Sequence, residues 1–269
     1  MTVSIETEDF VAALKAAQVT TFTGKDDPLM RCVYLTTTRA EVGDEPGEHD
    51  VLVAVSGDRI VWGQYVCQVD GQLDHPIVLD IAANRWIISS VTAAKKNMQE
   101  LEGKNAVCTV TLSLTSAAGG GERLLVQTMT DGIRGEKDLE SILPLELGDY
   151  PVDAADTYLS GRPFSEAGTD YSELPDDGSV MGFDSSATAV MDKIGATLKD
   201  VVLQYPISHP AGRRILTCGE SWRGSVPGYA FTSEQVVPVA EYIDITGSGD
   251  EQDESADATA DSQSSGDAE

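Results

Sequence analysis

The sequence predicts an α+β fold that repeats one unit: a short strand, a capped helix, then strands joined by a glycine hairpin. Two observations carry this. The order strand, helix, strands begins three times, near Val3, Ile77 and Val180. Two hairpin segments, Val53–Ile60 and Ile215–Trp222, also share a texture of apolar residues broken by a glycine–acid pair, Gly57-Asp58 and Gly219-Glu220. Recurrence in a fixed order points to duplicated βαββ-type units with antiparallel sheets.

Residues 2–6 alternate, with Val3 and Ile5 on one side, and read as a strand. Thr7 is placed to cap a helix with Glu8 and Asp9 in its first turn, where the helix dipole favours carboxylates. Phe10, Ala13, Leu14 and Ala17 form its apolar stripe, and Lys15 points away. Cys32–Thr37 is a predicted strand. Val51–Val55 and Ile60–Val66 form a hairpin in which Gly57 is expected to take the positive φ of a tight turn.

Ile77-Val78-Leu79 leads through Asp80 into the longest helical pattern. Ile87, Val91, Ala94, Met98 and Leu101 recur at steps of four and three, so they share a face expected to be buried. Arg85, Ser89, Thr92 and Lys96 follow the same rhythm on another side, and none of them is acidic. Gly103-Lys104-Asn105 stops the helix. Ala106–Leu114 and Leu124–Thr128 are predicted strands on either side of Gly119-Gly120-Gly121. Residues 152–179 are rich in Asp, Ser, Gly and Pro, and are expected to be a linker or long loop. The pattern then restarts with a strand at Val180–Phe183 and caps at Asp184-Ser185-Ser186. A helix follows with Ala187, Met191, Ile194 and Leu198 inward, then strands over Val201–Tyr205, Arg214–Cys218, Trp222–Phe231 and Val236–Ile245.

The 269 residues carry 18 Lys and Arg against 45 Asp and Glu, a formal charge of -27. Such a field repels nucleic acid and anionic membranes at long range, so any contact with them needs a local patch of opposite sign. Residues 247–269 hold eight of the acids and no base, and are expected to be a disordered acidic tail. Most of the negative excess therefore lies in the body of the chain. Cys32, Cys67, Cys108 and Cys218 are widely spaced in apolar, strand-like contexts and read as buried free thiols. His49, His75 and His209 are equally scattered and support no metal cluster. No apolar run is long enough to span a membrane and no export signal opens the chain, so a cytoplasmic protein without membrane partners is expected.

Here the residues resemble a family. The Val3–Lys15 opening, the Ser56-Gly57-Asp58-Arg59-Ile60 hairpin, the Ile77–Val91 strand and helix, the Leu143–Pro151 stretch and the Val202–Phe231 strands are together similar to the DNA sliding clamps, both the bacterial beta-clamp type and the PCNA-like type. The resemblance implies a non-enzymatic processivity factor without cofactors, of the kind a reduced or divergent member of the family would be. Its subunits would join head to tail in a homo-oligomeric ring, a trimer in preference to a dimer. Sheets would lie outside, and helices would line an inner face around double-stranded DNA. Lys15, Arg85, Lys95, Lys96, Lys193 and Lys199 would then meet phosphates, contacts that are electrostatic and independent of sequence. Pro206, Pro227, Tyr229 and Phe231 would wall the groove where a DNA polymerase and a clamp loader dock. The implied domains are 1–150 and 151–246, with the fourth unit degenerate.

Other readings of the same residues exist. The lysines also fit solvated helix faces, and the four groove residues also fit ordinary core or edge packing. An acidic DNA mimic would share the charge but would place carboxylates where a clamp gathers bases, and a structural protein of a virus or mobile element would share only the mixed α+β texture. No nucleophile elbow, phosphate-binding glycine loop or zinc spacing is present to indicate an enzyme.

Overall fold

Strand β1 (Thr2–Glu6) passes without a loop into helix α1 (Thr7–Thr20), and a short 3-10 turn at Leu29–Arg31 precedes β2 (Cys32–Ala40), β3 (His49–Gly57) and β4 (Trp62–Gln68). The second unit repeats the plan with β5 (Ile77–Asp80), α2 (Ile81–Glu102), β6 (Cys108–Ser116), β7 (Glu122–Thr130) and β8 (Lys137–Ser141). After α3 (Val152–Ser160) the third unit supplies β9 (Met181–Gly182), α4 (Ser185–Leu198), β10 (Val202–Ser208), β11 (Arg213–Cys218) and β12 (Trp222–Pro227), followed by β13 (Tyr229–Ala230). This is a computed structural model that describes residues 2–42, 46–58, 60–116, 122–130, 137–141, 150–160, 181–183, 185–208, 213–227 and 229–230, all within the unit Met1–Phe231. α1, α2 and α4 are each followed by a three-stranded meander, one strand more than the βαββ pattern predicts.

The first two units exchange their leading strands. β1 pairs antiparallel with β6, giving the sheet β1-β6-β7-β8, while β5 pairs with β2 of the first unit. The connectivity of residues 2–141 thus has an approximate two-fold symmetry, in which each unit completes the other's sheet. The third unit adds its meander through β12 and β4, making a seven-stranded sheet in the order β10-β11-β12-β4-β3-β2-β5. Reciprocal backbone hydrogen bonds between Ser4 and Asp70, of 2.8 and 2.9 Å, tie β1 to the loop after β4.

Local chemistry explains the element ends, in places against expectation. Glu6, not Thr7, occupies the N-cap of α1, and it makes no side-chain cap bond. Thr7 is already helical, and its hydroxyl donates instead to the Cys108 carbonyl of β6 at 2.7 Å. The other end of α1 is held by hydroxyls, as Ser56 and Thr21 donate to the Ala17 carbonyl at 2.5 and 2.9 Å. Asp80 caps α2 by accepting from the Ala83 amide at 2.6 Å, and Gly103 ends that helix at φ 101°, which favours glycine.

Gly57 does not take a positive φ. It ends β3, where a Cβ would lie 2.5 Å from the Trp62 ring, so the glycine is required by close packing. The turn itself is built by Asp58, whose carboxylate accepts from the Ile60 and Val61 amides at 2.9 and 2.5 Å.

The main core lies between the helices and the sheets. Phe10 and Leu14 of α1, Ile87 and Val91 of α2, and Ala187 and Ile194 of α4 are fully buried in it. Each large aliphatic side chain removed from water in this way contributes about 1.5–3 kcal/mol. Leu101 is a correction to the predicted buried face of α2, being 85% exposed. It stands in the last turn of the helix, which ends at Glu102.

A second cluster sits on the opposite face of the seven-stranded sheet, where Met30, Cys32, Trp62, Tyr150, Ala155 and Leu159 pack together. Part of the predicted linker is therefore the helix α3. Its residues Ala155 and Leu159, four apart, face the sheet. The Gly119-Gly120-Gly121 run, Asp184, His209, residues 161–180, the Val236–Ile245 strand and the acidic tail lie outside the described residues. Among the described residues, no helix is long and apolar enough to cross a membrane.

Candidate nucleic-acid interface

Three helices form the cover of the main core. α1 lies centrally and packs against both α2 and α4. Asn84, near the start of α2, donates through Nδ2 to the Leu14 carbonyl at 3.2 Å, while Lys95, further along α2, meets Glu8 at the start of α1. The two helices therefore run antiparallel.

All six predicted phosphate-contacting bases are described, and they fall on or just after these three helices. Lys15, Arg85, Lys96, Lys193 and Lys199 are exposed, on helix sides not committed to the core. Lys95 differs. It is half-buried and forms an ion pair with Glu8, whose carboxyl is held below its usual pKa by that hydrogen bond and charge, with a smaller contribution from Lys199. Lys96 has Glu100 at 3.9 Å, one turn along the same face. Among the described residues, Lys15, Arg85 and Lys193 have no ion-pair partner. Glu8 is the functional neighbour that sequence reasoning missed. Its contact spans 87 residues, and its place in a first helical turn is explained locally by the dipole.

Asp9 is partly buried beside Glu6 and Glu8, and burial, then those charges, raise its pKa. Buried Cys67 feels Asp9 as well: burial first, then that carboxylate, push its thiol up to about 12. Cys32 is pushed up to about 11, mainly by burial. All four cysteines are buried and free, as predicted. Thiols in this state pack as small apolar groups and are poor nucleophiles.

The predicted docking residues are not brought together in one described feature. Pro206 lies in β10, between Gln204 and Ser208, where the register with β11 shifts. Pro227 ends β12, half-buried, opposite Arg213. Tyr229 lies in β13 and pairs with Gly182 of β9, and Phe231 is outside the described residues. A different groove, of about 460 Å³, runs between α3 and the sheet and is lined by Tyr34, Val55, Gln64, Tyr150, Leu159 and Arg223 among others. Tyr34 and Tyr150 stack with ring centroids 5.4 Å apart, and Arg223 Nε donates to the Leu159 carbonyl at 2.7 Å. Its residues come from distant strands and a helix, so no single stretch of sequence announces it.

The chain is similar in structure to bacterial DNA polymerase III beta sliding clamps. The DNA polymerase sliding clamp from Caulobacter crescentus matches 89% of this chain and 69% of its own, at 14% identity and a TM-score of 0.48. The DNA polymerase III subunit beta from Pseudomonas aeruginosa matches 89% of this chain and 68% of its own, at 11% identity and a TM-score of 0.48. The beta subunit from DNA polymerase of Streptococcus pyogenes matches 88% and 68%, at 8% identity and a TM-score of 0.47. No protein-family model matches the chain, and no curated protein matches it by sequence. The α+β architecture of antiparallel sheets and a few helices rests on the strand order itself.

Proposed function

We propose that this protein is a sliding-clamp-like processivity factor that encircles duplex DNA and tethers a polymerase without catalysing a reaction itself. The observation that carries this is the distribution of charge. In a chain of net charge -27, three adjoining helices present Lys15, Arg85, Lys96, Lys193 and Lys199 to solvent. Non-specific phosphate contacts need only bases at suitable spacing, and a protein that must slide gains from keeping each contact weak. Topological closure then retains the DNA, and an acidic exterior does no harm because DNA meets only the helix wall.

The first clamp-like domain in this reading is 1–150 and the second is 151–246, which holds one clear unit. Ring closure uses sheet edges. β10 and β8 are outermost described strands of their sheets, and Val201 and Leu203, at 68% and 56% exposed, add apolar surface next to one of those edges. A head-to-tail trimer is favoured over a dimer because each copy supplies two domains at most. The polymerase and the clamp loader would bind on the side away from the helices.

Charge reversal at Arg85 and Lys96 tests the reading. The double variant should lose salt-sensitive retention on nicked circular DNA while its circular dichroism stays that of the parent. Equal loss of the parent protein from circular and linear DNA would rule out encirclement, and undiminished retention by the variant would remove α2 from the contact.

A further inference from the structure

We infer that Trp86 is a base-stacking contact for unpaired nucleotides of a DNA strand lying along α2, an inference that rests on the helix-face reading above. Isolated exposed apolar side chains are ordinary. Trp86 differs in its surroundings. It is 44% exposed, while Trp62 and Trp222 are each 1% exposed. Its neighbours along the same side of the helix are Ala82, Ser89 and Ala93, all exposed and all small, so no tall side chain of α2 shields the indole. Among the described residues no aromatic ring stacks on it.

Charge complementarity defines the occupant. From Ala82 to Asn97 the exposed side of α2 carries Arg85 and Lys96 and no carboxylate. Lys96 lies eleven helical steps beyond Arg85, about 16 Å, which spans about five nucleotides of a stacked strand at ~3.4 Å each. A polyanion with flat apolar groups at that repeat can place phosphates near both bases and present a base to the indole, which follows Arg85 directly and lies beside the line joining the two. Bases within a duplex have both faces taken and cannot be splayed out without breaking pairs, so an unpaired base takes the indole as its platform most readily. The ligand is therefore single-stranded DNA continuous with a duplex, as at the end of a primer.

Burial of the other two tryptophans makes the test direct, because a ligand that touches the helix face changes the emission of Trp86 above all. The full-length protein is titrated with a blunt duplex and with the same duplex carrying a single-stranded thymidine overhang, reading tryptophan emission and probe anisotropy together. The overhang probe should quench emission, the blunt probe should not, and the overhang probe should bind more tightly. Trp86→Ala should reduce the overhang-to-blunt affinity ratio at least about fivefold, the lower bound for losing one stacked base, and Trp86→Phe should retain part of it. If both probes bind with salt-sensitive affinity but emission stays constant, or the ratio in Trp86→Ala equals that of the parent, this inference is overturned and the clamp reading survives. If neither probe binds at low salt, this inference is overturned, while the clamp reading still stands or falls by retention on circular DNA.

Discussion

The two faces of the seven-stranded sheet are made by alternate residues of the same strands, yet they are covered in opposite ways. In β2, Val33 and Leu35 enter the core beneath the helices, whereas Cys32 and Tyr34 enter the cluster beneath α3. One face is closed by three helices of 14, 22 and 14 residues, whose solvent sides carry bases. Among the described residues the other is crossed by one helix of 9 residues and keeps an apolar groove between aromatic rings. Strand alternation supplies two apolar faces, but the length of the covering helices decides which becomes a sealed core and which keeps a groove. A sealed core lets the outer sides of its helices specialise in charge, while the thinly covered face specialises in shape.

Core truncations should expose this difference most sharply. Phe10→Ala removes a fully buried ring from the helix-side core and should cost about 3–5 kcal/mol, read as a lowered denaturation midpoint. Leu159→Ala acts on the opposite face and should cost about 2 kcal/mol, the low end for such a truncation, because a shallow cluster collapses more readily. Equal losses for the two variants would erase the distinction between the faces.

A smaller effect should come from the charge on the helix side. Glu8→Gln releases Lys95 and removes a carboxylate from beside Lys199. Stability should change by less than about 1 kcal/mol, since the pair is solvent-screened. The slope of log affinity for duplex DNA against log salt should steepen by up to about one. An unchanged slope would show that Lys95 does not reach phosphate even when freed.

The smallest effect concerns His75, in the loop before β5, whose Nε2 lies 2.8 Å from a Glu122 oxygen of β7. Its pKa is raised above 6.5, first by the hydrogen bond to Glu122 and then by the Pro76 carbonyl. The folded state holds this proton more tightly, so the pair's stabilisation is fully present below pH 6.5 and is lost as pH rises through the folded value. Both partners are exposed, so the change should be no more than about 0.5 kcal/mol. His75→Gln should flatten that part of the stability profile, and a parent profile already flat there would dismiss the pair.

Much of the architecture was legible because it depends on periodicity and punctuation. The buried face of α2 through Met98, its Gly103 stop, the three starting points of the units and the four buried thiols all follow from neighbours close in sequence. Errors arose where a residue serves a distant partner. Thr7 looks like a cap but answers the Cys108 carbonyl, Gly57 looks like a turn glycine but makes room for Trp62, and α3 hides in a segment with the composition of a loop. Of the candidate interface, the bases could be named from helical spacing, but Lys95 could not be seen to be held by Glu8.

By itself, then, the amino-acid order determined the repeated strand–helix–strand units, the inward stripes of their helices and the scarcity of positive charge, because each is written in intervals of two to four residues or in simple composition. Only the tertiary structure decided that β1 and β5 trade places between units, that α1, α2 and α4 lie side by side, and that Glu8 meets Lys95. Those outcomes depend on which apolar faces find one another across tens of residues, and no local spacing encodes that choice.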